Sequence, residues 1–154
     1  MTEPDRTTAP GPAGASEPDA TDPRRLVLAD LVARLAAGVT TRARAYEAAA
    51  GQAEGDLRKA LERLERAKLD QAAELLPLAR TLGASVPAAG PEGTPGPWGV
   101  VLGEAFQGER RLERTSRELA VLAGDPRLKA LAARLAGSAA RDADEVRKLY
   151  LRYS

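Results

Sequence analysis

Four ionisable side chains stand out because they interrupt otherwise apolar helical lines: Arg42, Lys68, Glu109 and Asp142, two cationic and two anionic, with Gln71 and Ser116 near them. Brought together, they could form a polar pocket for a small anion or metabolite, or a layer of buried ion pairs that fixes helix register. The balance of signs favours the ion-pair layer, since a buried charge without a partner is strongly destabilising. A second group, Arg110, Arg114 and Arg117 with Arg111 beside it, makes a basic stripe that could contact an anion or the phosphates of a nucleic acid. Glu113 and Glu118 interleave with the stripe, and no aromatic side chains accompany it for base stacking, so a solvated helix face is the expected reading.

The residue types that are missing narrow the chemistry further. There is no Cys and no His among the 154 residues. Disulfides, thiolate nucleophiles, Cys-ligated zinc and iron-sulfur clusters are thereby excluded, and so are the commonest metal ligand and the usual general base near neutral pH. Carboxylate chemistry and binding through arginines or an apolar groove remain open. The expectation is a chain that is not an enzyme and carries no cofactor.

The elements that must position these residues are helices. Residues 1–23 are rich in Pro, Gly, Thr and Ala and carry a net charge of −4, whereas residues 24–154 carry +5. The first segment has too little aliphatic surface to offset the entropy of ordering, so a disordered acidic Pro/Ala-rich tail is expected there. It lacks the apolar core of a signal peptide, and no window is long and apolar enough for a membrane span; a cytoplasmic location is the default expectation. Asp22-Pro23 then reads as an N-cap with proline at the first helical position, and Gly51 as a helix-ending residue. A second helix runs from around 54–56 to Gly83, a third from Pro97 to near Gly124, and a fourth from Asp125-Pro126 almost to Ser154.

Each helix has a line of positions spaced alternately by four and three, the seam of a bundle. The seams are Leu28, Val32, Leu35, Val39, Arg42, Tyr46, Ala49; then Leu57, Leu61, Leu64, Lys68, Gln71, Leu75, Leu78, Leu82; then Trp98, Leu102, Ala105, Glu109, Leu112, Ser116, Leu119, Ala123; and finally Leu128, Ala132, Leu135, Ala139, Asp142, Val146, Leu149, Tyr153. All four are apolar at both ends and polar near the middle. Gly99, Gly103 and Gly108 in the third helix suggest close approach of a neighbour, with a pocket wall or a weak partner surface as the alternatives. The short links within the first and the second pair of helices make each pair an antiparallel hairpin. Residues 84–96 are Pro-, Gly- and Ala-rich and, at about 3.3 to 3.6 Å per residue, can just span the bundle, which predicts a crossover with helices 2 and 3 parallel; the alternative is a loop hanging off one end of a simple up-down bundle.

Two helical hairpins, a long crossover and polar residues at mid-seam resemble the ferritin-like superfamily, and most closely its rubrerythrin-type members, over about residues 24–154. That resemblance implies an inward Glu from helices 1 and 3 and a Glu-x-x-His from helices 2 and 4, together holding two metal ions. Here Val39 takes the place of the first Glu, Lys68 and Gln71 the places of Glu and His in helix 2, and Ala139 and Asp142 those in helix 4. Glu109 in helix 3 alone keeps a ligand. The resemblance therefore implies a degenerate di-metal site and a non-catalytic structural or interaction protein, self-associating as a homo-dimer or binding another protein. The alternative is a nucleic-acid-associated or stress-related binding module that uses the arginine stripe.

Overall fold

The computed structural model describes residues 22–90 and 96–154. Apart from Asp22 and Pro23, the expected tail lies outside them. The described residues form four helices, α1 (Pro23–Ala50), α2 (Gly55–Thr81), α3 (Trp98–Leu122) and α4 (Pro126–Tyr153), with no strand among them. Two starts are built alike: Asp22 accepts a hydrogen bond from Arg24 N at 3.0 Å and Asp125 from Arg127 N at 3.1 Å, each with proline at the first helical position. These side chains satisfy amides that have no partner within the helix, and each such cap contributes about 1 kcal/mol.

The glycine expected to end α1 works differently. Gly51 is right-handed at φ −62°, whereas left-handed backbone occurs at Gly55 (φ 59°), where α2 begins, and at Gly83 (φ 73°), just past its end. At Gly83 the reversal lets Ala84 N bond back to Ala79 O at 2.9 Å, closing α2 and redirecting the chain.

Two apolar cores show how the helices run. One gathers Val32 and Leu35 from the first half of α1, Leu75 and Ala79 from the second half of α2, Leu119 near the end of α3, and Leu128 and Leu135 from the start of α4. The other gathers Tyr46 from late α1, Leu57 and Leu61 from early α2, Leu102 from early α3 and Val146 from late α4. Leu82 packs on the first core and Trp98 on the second, so the connection between α2 and α3 travels from one end of the bundle to the other. The result is an all-α four-helix bundle of two antiparallel hairpins joined by a long crossover, with α2 and α3 parallel. The described part of this strap is anchored by Ala84 and Val86 on the first core and by Gly90 N, which donates to Thr41 Oγ1 of α1 at 2.8 Å.

The bundle is lopsided. The α1 and α3 backbones approach each other closely, while those of α2 and α4 scarcely touch. Small residues explain the first: a Cβ at Gly38 would lie 2.8 Å from Leu112 Cδ2, and one at Gly108 would lie 2.6 Å from Arg42 Cδ. Long side chains close the second gap. Arg134 makes a two-pronged bond to Glu74 at 2.9 and 3.0 Å, and Arg63 reaches Glu145.

Candidate functional site: a charged layer at mid-bundle

Lys68 sits in the middle of α2 at a seam position, so the helix that buries Leu64 and Leu75 carries its ammonium inward too. The side chain is fully buried, and Nζ lies 2.6 Å from Glu109 Oε1 on α3 and 2.9 Å from Asp142 Oδ2 on α4. The contact with Asp142 has hydrogen-bond geometry; the contact with Glu109 is close but poorly directed, and Oε1 has no other partner. The second Glu109 oxygen accepts a 2.5 Å hydrogen bond from the hydroxyl of Tyr46 on α1. One side chain from each helix thus joins a continuous chain, Tyr46, Glu109, Lys68, Asp142, which begins in the second core at Tyr46 and continues through the middle of the bundle.

Burial shapes the proton affinities. It raises the Glu109 carboxyl above its ordinary range, against the lowering pull of the Lys68 ammonium and the Tyr46 hydroxyl. It also holds the Tyr46 phenol well above its ordinary value, helped by the negative charge of Glu109 and opposed by the positive charge of Arg42.

Arg42 does not face Glu109 or Asp142 as the balance of signs suggests. Its guanidinium carbon lies 5.3 Å from the centroid of the Tyr46 ring, its stem runs against Gly108, and its buried Nη1 has no hydrogen-bond partner. The reason is geometric: Tyr46 already occupies the free face of Glu109, and the missing Cβ of Gly108 opens a path for Arg42 across α3. Gln71 also stands apart, donating to Ser138 Oγ of α4 at 2.8 Å, while Ser116 is buried near the first core end of α3. Val39 and Ala139 are buried apolar members of the first core.

The arginine stripe is partly consumed by a residue that the sequence placed on a solvated face. The Glu113 side chain is only 5 % exposed, and Arg110 and Arg117 bridge to it at 3.1 and 2.6 Å. Its position four residues after Glu109, flanked by Arg at minus three and plus four, was the available signal. Arg114 is exposed.

This layer can hold charge and a proton, but it offers neither a nucleophile with a base nor an open ligand set. Among the described residues no group of three or more His, Cys, Asp or Glu is placed to hold a metal ion. An ammonium in contact with both carboxylates repels any cation that would use them, so these residues do not fit a di-metal centre. No family model matches this chain, and no curated protein or solved structure is similar enough to it to count as a match.

Proposed function

We propose that this chain is a ferritin-like bundle whose di-metal site has been replaced by an ion-paired layer, and that it acts without catalysis as a structural or interaction protein. The Lys68 ammonium carries the reading: it contacts Glu109 and Asp142 at 2.6 and 2.9 Å on the level where the resemblance puts the metals. The crossover topology supports it, and the retained Glu109 is explained by its new role as acceptor for Lys68 and Tyr46. Self-association is part of the reading, supported by the exposed cluster of Val27, Val121 and Leu122 where α1 starts and α3 ends.

Metal analysis of the full chain, purified after growth with added iron and manganese, tests the central claim. Substoichiometric metal is expected, and one or two ions per chain would overturn it. As the converse arm, a variant combining Val39→Glu, Lys68→Glu, Gln71→His, Ala139→Glu and Asp142→His should gain metal binding beside Glu109. Sedimentation tests self-association: a concentration-dependent dimer is expected, weakened by Val121→Asp, and a strict monomer at all concentrations would sink that part.

A further inference from the structure

A groove of about 380 Å³ lies between α1 and α3 beside the strap, and Lys68, Glu109 and Asp142 are not in its lining. Its volume is within the range of small-molecule sites, roughly 300 to 1,000 Å³. Three guanidinium groups, Arg34, Arg42 and Arg111, line it, and among the described residues no carboxylate does. Arg34 is engaged by Asp30 at 2.6 Å at the surface. Arg42 is not so engaged: its buried Nη1 has hydrogen-bonding capacity left unused, and Arg111 is exposed with no ion-pair partner among the described residues. The hydroxyl-bearing Thr41 and Thr115 stand in the same wall, with Leu35, Leu112 and Pro87 supplying apolar surface.

Gly108 makes this arrangement possible. An added Cβ would fall 2.6 Å from Arg42 Cδ and 2.9 Å from Nε, so any other residue would force the guanidinium out of its place. Glycine inside a helix lowers its propensity, and here that loss coincides with a cationic group held in a groove wall.

We propose that this groove binds a small molecule bearing an oxyanion on a compact apolar body, with Arg42 and Arg111 gripping the oxyanion. The planar guanidinium fork suits carboxylate and phosphate alike, and no acid among the described residues lines the groove to compete for it. The groove is lined by apolar as well as cationic residues, which suits a ligand that is more than a bare ion. Lys68, Glu109 and Asp142 do not line the groove, so its binding test is distinct from the test of the metal-free reading.

Calorimetric titration of the full chain with phenyl phosphate, benzoate and inorganic phosphate tests it. Saturable one-to-one binding of phenyl phosphate or benzoate is expected, tighter than inorganic phosphate, and whichever of the two binds better names the oxyanion. Arg111→Ala should weaken it about tenfold or more through loss of a charge-assisted contact. Gly108→Ala, which keeps every charge but displaces Arg42, should weaken it comparably, while Arg114→Ala should not. Because Arg42→Ala alters a packed position, its effect is interpreted only alongside unchanged circular dichroism, and Arg111→Ala decides the matter otherwise. Absence of saturable binding by all three probes would overturn the site, as would binding indifferent to Arg111→Ala. Binding of a DNA duplex with the same Arg111 dependence, without binding of phenyl phosphate or benzoate, would overturn it in favour of a nucleic-acid surface.

Discussion

Lys68 and Glu109 are both fully buried, and the energetic meaning of their contact is set by what each would suffer alone. Removing the ammonium leaves two carboxylates close together in an apolar interior. Lys68→Ala should therefore cost about 3 to 5 kcal/mol, measured by urea denaturation. A loss of about 1 kcal/mol or less, typical of a solvated pair, would show that water reaches the layer. Replacing Lys68, Glu109 and Asp142 together with Met, Leu and Ala should recover most of that loss, because well-packed apolar groups can substitute for a buried ionic set.

The same residues set a pH dependence. Glu109 has its folded proton affinity raised from 4.5 chiefly by burial, so the stability it contributes is full below 4.5 and is lost as pH rises through the folded value. Tyr46 is raised from 10.0, so its contribution is full below 10.0 and is lost in alkali as the unfolded phenol ionises while the folded one stays neutral. Urea midpoints measured across pH should thus fall off in alkali, and Tyr46→Phe should flatten that limb. At neutral pH this substitution should cost about 1.5 to 3 kcal/mol through its lost bond to Glu109. An unchanged alkaline limb would show that Tyr46 does not govern it.

At the scale of elements, α1 and α3 owe their close approach to Gly108, and this couples Gly108 to Arg42. Alone, Gly108→Ala gains up to about 1 kcal/mol of helix propensity but must expel the Arg42 stem, an overpacking that costs about 1 to 3 kcal/mol. In an Arg42→Ala background the clash is gone, and the same substitution should stabilise the protein by about 1 kcal/mol. A double-mutant cycle with no coupling would refute the contact. Thr41→Val removes the acceptor for Gly90 N and should cost about 1 kcal/mol, with faster proteolysis within the strap as its second readout.

Helix existence and seam register were legible because aliphatic spacing and the Asp-Pro starts are local signals. Lys68, Glu109 and Asp142 were legible too, since a charge on a seam must be buried with its helix. Arg42 was not. Where a long flexible side chain goes is decided by the free volume that Gly108 leaves on a different helix and by Tyr46 having already taken the open oxygen of Glu109. Glu113 was missed for a related reason: the broad interface between α3 and its neighbours buries a position just off the seam line.

For the molecule as a whole, the two sides of the bundle differ in kind. On the α1–α3 side the backbones approach closely at Gly38 and Gly108, whereas the α2–α4 side is held apart and spanned by Arg134–Glu74, Arg63–Glu145, Gln71–Ser138 and Lys68–Asp142. Of these, Arg134–Glu74 and Arg63–Glu145 are solvent-accessible ion pairs and are screened by salt. Raising ionic strength should loosen α2 against α4 first, seen as faster amide exchange on the facing sides of those helices while α1 and α3 keep their protection. Uniform loss of protection around the bundle would contradict this asymmetry.

The strap ties together two hairpins that meet through side chains rather than through shared backbone hydrogen bonds. Severing it between Gly90 and Gly96 would therefore break no helix and no core contact described above, and would turn a one-chain fold into a pair of complementary pieces. A fragment ending at Gly90 and one beginning at Gly96 should reassemble on mixing, with a melting temperature that rises with concentration because the tether no longer supplies its effective local concentration. The bundle would then serve as a splittable reporter, its recovery of the Tyr46–Glu109 and Lys68–Asp142 contacts marking the moment when two separate polypeptides find each other.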